Sequence, residues 1–280
     1  MNYEGLEHAI GQSIAYLRRI PPHQTFAFGN KEEVGPAQMI DSLENFLRFI
    51  RTAPSTKELN NFIASNYWVY QSVGGAQPEK VYFTGYYEPI LEGSSAKNEV
   101  YKFPVYARPE DLVTIDLSLF STRFEGEKIT GRYVNRKVVP YWEREEIERE
   151  DRLAEVATPL AWLKNQVDIF FLQIQGSGKI YLDNNSPIHV HYDTTNGRPY
   201  RSIGKLLIDQ GKIPRSEMSM QNIRAYLKNH PKEIEPILNH NPSYVFFKLE
   251  KEGPIGFLDV KLTPGRSIAL DRRLFPLSAL

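Results

Sequence analysis

Two glutamines give the chain its most specific hydrogen-bonding pattern. Gln173 and Gln175 alternate with Leu172 and Ile174 in the apolar segment Asp168–Gln175. This segment is typical of a buried strand, on which both amides would share one face and need partners. Amides beside aromatic side chains suit a hydroxyl-rich ligand such as a glycan. The alternative is a hairpin whose glutamines bind the neighbouring backbone.

A glycine-flanked serine follows this segment. Gly176, Ser177 and Gly178 lead into Lys179–Leu182, which predicts a hairpin with a glycine-rich turn. The glycines would bring bare backbone groups to a surface where a polar ligand approaches closely. A phosphate loop is not indicated, because the Lys-Ser/Thr pair and the following helix that such a loop needs are missing.

Acid-base and metal chemistry have fewer candidates. Glu88, Asp168 and Asp271 are the candidate acids, and none is paired by spacing, so a two-carboxylate hydrolase is not indicated. His189 and His191 would share one face of a strand, as two metal ligands must. Without a spaced third ligand they are interpreted as polar residues near a strand end, and no metal or cofactor is predicted.

Composition excludes several classes of protein. The 280 residues carry 34 Lys and Arg against 34 Asp and Glu, and no basic stripe indicates a nucleic-acid partner. The absence of Cys excludes disulfides and thiolate metal sites within these residues, and a lipid anchor is not expected from them. The most apolar run, Val167–Ile174, is far shorter than the roughly 20 residues of a membrane span. The N-terminus lacks the pattern of a signal peptide.

Hydrophobic spacing predicts an α+β chain that begins with helices. Two helical stripes consist of Leu6, Ile10, Ile14 and Leu17, and of Leu43, Phe46, Leu47 and Ile50. From Lys80–Leu91 onward the pattern is strand-rich. Further predicted strands are Lys102–Ala107, Lys137–Tyr141, Ser243–Leu249 and Gly256–Leu262. Further predicted helices are Glu143–Arg152, one from Ile203 to Gly211, one from Met220 to Pro231, and one beginning at Pro231.

Six motifs in chain order resemble the membrane-bound lytic murein transglycosylase A family. They are Phe83–Pro89 (FTGYYEP), Phe171–Gly178 (FLQIQGSG), Gly197–Lys205 (GRPYRSIGK), Met218–Gln221 (MSMQ), Asn241–Lys248 (NPSYVFFK) and Leu262–Asp271 (LTPGRSIALD). The resemblance covers roughly residues 80–280. The first 75 or so residues resemble the family only in their helical hydrophobic pattern.

The resemblance implies a fold of two domains with a substrate groove between them. A double-psi β-barrel domain with N-terminal helices would comprise residues 1–103 and 246–280. A smaller, β-barrel-like inserted domain would comprise residues 104–245. The family barrel continues past the Asp271 motif with further aspartates, among them the catalytic acid, so we expect the barrel of this chain to be incomplete and its acid to lie beyond Leu280.

The resemblance also implies a reaction. The family cleaves the β-1,4 bond between N-acetylmuramic acid and N-acetylglucosamine, with formation of a 1,6-anhydro product. One carboxylic acid serves both proton transfers, which agrees with the absence of a carboxylate pair. The residues implied in substrate binding are Thr84, Gly85, Tyr86, Tyr87, Gln173, Gln175, Gly176, Ser177, Gly178, Tyr200, Arg201 and Ser202, while Asp271 is a weak candidate acid.

Two further functions compete with a transglycosylase of cell-wall turnover. One is a non-catalytic glycan-binding protein that has lost the acid. The other is a hydrolase using Glu88 and Asp168, which would release reducing ends. Peptidoglycan strands are the expected partner, and the periplasm or cell envelope is the expected location by resemblance.

Overall fold

The computed structural model describes residues 3–29, 32–71, 81, 85, 87–271 and 275–277. The helices are α1 (Leu6–Leu17), α2 (Pro36–Ile50), α3 (Thr56–Asn66), α4 (Arg144–Glu150), α5 (Gln166–Gln175), α6 (Ile203–Asp209), α7 (Met220–Asn229) and α8 (Ile234–Asn239). The strands are β1 (Phe26–Phe28), β2 (Glu32–Val34), β3 (Ile90–Ser94), β4 (Phe103–Tyr106), β5 (Leu112–Asp116), β6 (Lys128–Val134), β7 (Lys137–Pro140), β8 (Pro159–Leu163), β9 (Ser177–Tyr181), β10 (Pro187–Thr195) and β11 (Val245–Glu250).

The chain divides into two compact units. The first unit comprises Met1–Tyr86 with Pro254–Leu280, and the second comprises Tyr87–Gly253. Among the described helices, none combines the length and the hydropathy that a bilayer crossing requires. The mixed α and β composition agrees with the predicted class, and the sheets in the described part of the chain form no closed barrel.

The first unit is built on the predicted helical stripes. Both stripes lie in one buried cluster of α1, α2 and α3, which confirms the two helices predicted from them. The C-terminal segment packs on α1, where His8 Nδ1 lies 2.8 Å from Thr263 Oγ1. The predicted strand Gly256–Leu262 is wrong: a single bridge joins Ile255 to Lys261 around a turn.

The second unit centres on a six-stranded sheet in the order β11-β10-β9-β3-β8-β4. Its neighbours are antiparallel except β3 and β9, which run parallel. One bridge also joins Ala107, just after β4, to Phe247 on β11. A buried cluster that includes Leu172, Ile180 and Val190 fills the space between this sheet and α5. Helices α5–α8 share a second cluster, and β5-β6-β7 form a separate sheet.

Most predicted elements of the second unit are confirmed. Strands β4, β7 and β11 and helices α4, α6, α7 and α8 lie where the patterns place them, with a 3-10 turn at Pro231–Glu233 before α8. In the predicted strand Lys80–Leu91, only Ile90 and Leu91 belong to a strand among the described residues.

The predicted strand Asp168–Gln175 is wrong, because this segment is helix α5. Asn165 caps the helix by accepting a hydrogen bond from the backbone of Asp168 at 2.9 Å, and Gly176 ends it with a φ of 78°. The helix is short and buried on most sides, so its apolar run imitates a buried strand. The Asn cap and the terminal glycine were the local signals for a helix.

Candidate functional site

The junction between α5 and β9 is held against the start of β3. Lys179 N donates to Pro89 O at 2.8 Å. A Cβ at Gly178 would lie 2.5 Å from Leu172 Cδ1 and 3.3 Å from Pro89 O. Gly178 is buried, and so is Ser177 with 3% exposure. The glycine therefore permits close packing of the chain, and the expectation that Gly178 opens bare backbone to the surface is wrong.

Gly176 has a different role at the same junction. Its left-handed φ of 78° ends α5, and this conformation favours glycine because other side chains clash there. Gly176 O accepts a hydrogen bond of 2.6 Å from Tyr192 N. A β-bulge follows Tyr192 in β10. The Tyr192 side chain is 43% exposed. The turn thus places an aromatic ring beside the end of α5.

The two glutamines do not share a face, since residues two apart in a helix point in different directions. Gln173 is 5% exposed. Its Oε1 accepts from Arg144 Nη2 at 2.6 Å, and its Nε2 donates to Val245 O at 3.4 Å. Gln175 is half-buried, and its amide has no hydrogen-bond partner within the described part of the chain. Gln173 therefore has its partners inside the fold, whereas Gln175 is available to a ligand.

Arg144 is the buried centre that engages Gln173. The guanidinium donates to Asn241 O at 3.1 Å and to Ser243 O at 2.7 Å, and it forms a 3.0 Å ion pair with Glu148. Burial raises the pKa of Glu148, while Arg144 opposes that rise. Nothing in the charge pattern of α4 distinguishes this arginine from its exposed neighbours, so no sequence signal predicts the Arg144 network.

Two buried asparagines fix the loops around this network. Asn196 Nδ2 donates to Trp142 O and Pro242 O, both at 2.8 Å, and Asn196 Oδ1 accepts from Tyr244 N at 2.9 Å. Asn241 Oδ1 accepts from Arg201 N at 3.1 Å. Asn241, the first residue of the Asn241–Lys248 motif, therefore stabilises the fold.

Tyr87, Tyr192 and Tyr200 are among the exposed tyrosines of this unit. Tyr87 is 44% exposed and Tyr200 is 56% exposed, beside the 43% of Tyr192. Tyr87 Oη donates to Met220 Sδ at 3.3 Å, which joins the FTGYYEP and MSMQ motifs in space. Neither Tyr192 nor Met220 was predicted as a site residue. A tyrosine beside a β-bulge within a strand offers no signal that sequence alone could separate from packing.

The predicted residues before α6 lie together at its N-terminus. Ser202 Oγ caps the helix by accepting from Lys205 N at 3.2 Å. Arg201 and Tyr200 are exposed. Gly85 is also exposed, whereas Thr84 and Tyr86 lie outside the described residues.

The candidate acids are not brought together. Asp168 accepts from Arg224 Nη1 at 2.5 Å and from Asn165 Nδ2 at 2.7 Å, so it stabilises the start of α5. Glu88 Oε1 lies 3.9 Å from His189 Nδ1. Asp271 belongs to the first unit. The described residues bring no three His, Asp or Glu side chains together to hold a metal.

The candidates that remain are two contact pairs, Tyr87 with Met220 and Gly176 with Tyr192, together with Gln175. We name this set the junction face. It combines an unpartnered amide, a backbone turn and two exposed rings, and it carries no charged side chain of its own. Such a surface suits a neutral ligand with hydroxyl and amide groups, because amides supply both donor and acceptor and rings offer flat apolar contact.

Comparison with known proteins gives relatives of one family by sequence and by structure. The family model described as "MltA specific insert domain" matches residues 82–248. The membrane-bound lytic murein transglycosylase A of Escherichia coli K12 is 29% identical over 95% of this chain and 62% of its own length. The Vibrio cholerae protein of that name is 30% identical over 73% of this chain and 49% of its own. The chain thus spans about three fifths or less of these relatives.

Solved structures confirm the predicted family fold. The crystal structure of a membrane-bound lytic murein transglycosylase from Agrobacterium tumefaciens aligns with a TM-score of 0.74 at 28% identity, over 98% of this chain and 73% of that one. Escherichia coli MltA with bound chitohexaose aligns with a TM-score of 0.63 at 25% identity, over 95% of this chain and 68% of that one.

Proposed function

Since this chain belongs to the MltA family, whose insert-domain model matches residues 82–248, we propose that it acts in peptidoglycan lytic transglycosylation. The reaction cleaves the β-1,4 bond between N-acetylmuramic acid and N-acetylglucosamine and leaves a 1,6-anhydro end. The protein would work in the cell envelope, where this polymer lies.

The unpartnered amide of Gln175 carries the proposal for the binding site. It lies next to Gly176, whose carbonyl positions Tyr192, and the whole junction face falls within the matched residues. We assign Gln175 to a hydroxyl or N-acetyl group of a sugar, and Tyr87 and Tyr192 to the apolar faces of neighbouring sugars. Tyr200, Arg201 and Ser202 would extend the contact at the start of α6.

The remaining predicted residues support this face from within. Gln173, Ser177 and Gly178 are buried, so their proposed contribution is to fix the end of α5 and the start of β9. Rigid supporting contacts are what hold binding groups in a productive geometry. The relative from Escherichia coli whose structure holds chitohexaose makes this N-acetylglucosamine oligomer the natural probe.

The reaction needs one acid that protonates the leaving oxygen and then accepts the proton of the C6 hydroxyl. Asp168 is engaged by Arg224 and Asn165, and it is therefore a poor candidate for that role. Asp271 remains a weak candidate. A two-carboxylate hydrolase using Glu88 and Asp168 is not favoured, because Arg224 and Asn165 hold the Asp168 carboxylate at the start of α5.

Digestion of purified murein tests the reaction. We expect the protein, produced at the full length of its gene, to bind murein and to release muropeptides lighter by one water than hydrolytic products, with the Escherichia coli relative as positive control. Binding without any anhydro product would favour the non-catalytic glycan-binding alternative. Products with reducing ends would contradict the proposal and favour a hydrolase.

A further inference from the structure

The three-stranded sheet of β5, β6 and β7 has one entirely apolar face. Ile129 of β6 lies opposite Ile115 of β5. Tyr133, four residues further along β6, lies opposite Val138 of β7. Directly opposed residues of antiparallel strands share a face, and so do residues an even number apart on one strand. This surface, which we name the outer sheet face, consists of Val113, Ile115, Ile129, Tyr133, Val138 and Pro140.

The opposite face of the sheet packs on the second unit. Leu112 and Arg132 are paired across β5 and β6 on that face. Leu112 is 4% exposed and belongs to a buried cluster of the unit. The guanidinium carbon of Arg132 lies 3.5 Å from the centre of the Trp142 ring. The outer sheet face therefore points away from the core of its own unit.

The outer sheet face is exposed although it is apolar. Tyr133 is 65% exposed, Ile129 45% and Val138 41%, and no residue of this face belongs to a buried cluster in the described part of the chain. An antiparallel sheet with one packed face normally turns polar side chains to water. This sheet does the reverse, and a contiguous apolar patch on a surface marks an interaction site.

The hairpin between β6 and β7 adds positive charge at one end of this face. Asn135 and Arg136 form its tight turn, with left-handed φ values of 47° and 64°. Arg136 and Lys137 are exposed, and neither side chain has an ion pair among the residues that the structure describes. The exposed acids Glu125 and Glu127 precede β6 at its other end. A seven-residue strand separates them from the turn, a distance of roughly 20 Å that exceeds the Debye length of about 8 Å at physiological salt.

We propose that the outer sheet face rests on a lipid bilayer that contains anionic phospholipids. The apolar side chains would enter the boundary between headgroups and acyl chains, as those of interfacial segments do. Tyr133 would place its ring there and its hydroxyl at the wet side. Arg136 and Lys137 would meet the anionic headgroups. This surface is separate from the junction face, and the inference does not depend on the proposed reaction.

A second copy of the chain is the other occupant to consider. Three short strands cover an area on the order of 300 Å², whereas a stable protein interface buries about 800 Å² on each partner. A second copy would also present the same two cations, while anionic headgroups complement them. The size and the charge of this surface therefore favour a bilayer.

Sedimentation with lipid vesicles provides the test. The protein is produced at the full length of its gene in a cell-free extract, so that no lipid is attached to it. One vesicle preparation contains equal parts of phosphatidylcholine and phosphatidylglycerol, and the other contains phosphatidylcholine alone. We expect binding to the mixed vesicles that weakens as salt is added, because screening acts on the two cations. Binding to the neutral vesicles should be weaker.

Two variants separate the apolar and the charged contributions. Tyr133→Ser should weaken binding to the mixed vesicles about 10-fold, because it removes an exposed ring that would leave water. Combined Arg136→Gln and Lys137→Gln should weaken binding by about 5-fold for each cation. The matched controls are Leu249→Ser, which removes a 54% exposed apolar side chain of β11, and combined Lys228→Gln and Lys232→Gln, at two exposed lysines. Both controls should bind as the parent protein does.

Three results would overturn the inference. The first is no binding of the parent protein to the mixed vesicles. The second is equal binding by the parent, Tyr133→Ser and the variant without the two cations, or an equal loss in the controls. The third is a dimer in sedimentation velocity without lipid that Tyr133→Ser dissociates, which would identify a second copy as the occupant.

Discussion

Gln173 and Gln175 stand two residues apart on α5 and belong to different regions of the molecule. Gln173 is part of the buried Arg144 network, where its amide oxygen and nitrogen are both engaged. Gln175 reaches the junction face with an amide that has no partner in the described part of the chain. One motif thus contains a residue that holds the fold and a residue proposed to hold a ligand.

The buried region should give the largest effect. Arg144→Met leaves Gln173, Glu148 and two carbonyl oxygens without their cation, and removal of one partner from a buried pair costs about 3–5 kcal/mol. We expect a large decrease in the urea midpoint. Arg149→Met, on the same helix but with an exposed arginine, should cost about 1 kcal/mol or less. Equal losses in the two variants would contradict the distinction between buried and exposed pairs.

The two glycines of the turn, Gly176 and Gly178, should differ in their effect on stability when each is replaced by alanine. Gly178→Ala places a methyl group 2.5 Å from Leu172 Cδ1 in a packed core, and such overpacking costs about 1–3 kcal/mol. The added Cβ in Gly176→Ala meets no atom closer than 3.7 Å. The expected loss of stability therefore comes from the left-handed backbone conformation alone and is about 1 kcal/mol. Thermal unfolding of both variants measures this order. A larger loss in Gly176→Ala would mean that backbone conformation outweighs packing at this turn.

Glu148 gives the buried region a pH dependence. Burial raises its pKa above the ordinary value of 4.5 in the folded state, so the folded chain binds this proton more tightly than the unfolded chain does. The contribution of Glu148 to stability is then largest at low pH and falls as pH rises from about 4.5 through the raised pKa.

Glu148→Gln should abolish that fall, because glutamine does not titrate in this range. Urea unfolding of both chains from pH 4.5 to pH 8 compares their slopes. Glu145→Gln, on the exposed side of α4, is the control and should keep the slope of the parent chain. Parallel stability curves for the parent and Glu148→Gln would contradict the assignment.

Sequence patterns predicted the elements whose apolar residues recur with a clear period. Helices α1 and α2 follow from their stripes, and α4 follows from alternating charges. Helix α5 was predicted as a strand because its aromatic and β-branched residues are typical of a buried strand and because Gln173 and Gln175 alternate with Leu172 and Ile174. That short alternation lies in a helix that is buried on most sides, and the caps at Asn165 and Gly176 were the local signals for a helix.

The site shows a similar limit. The motifs identified Gln173 and Gln175 as important, but the incorrect prediction of a strand for this segment placed both amides on one face. Tyr192 and Arg144 acquire their roles from contacts between distant segments. Such contacts depend on the packed fold, so no local pattern could have predicted them.

Calorimetric titration with chitohexaose distinguishes a sugar-binding role of Gln175 from a fold-supporting role of Gln173. Gln175→Ala should keep the parent unfolding midpoint and lose about 2- to 10-fold in affinity, as expected for one hydrogen bond. Gln173→Ala should lose about 1–3 kcal/mol of stability, because Arg144 loses an acceptor, and should bind with parental affinity while folded. Parental affinity in Gln175→Ala, with circular dichroism unchanged, would contradict the account.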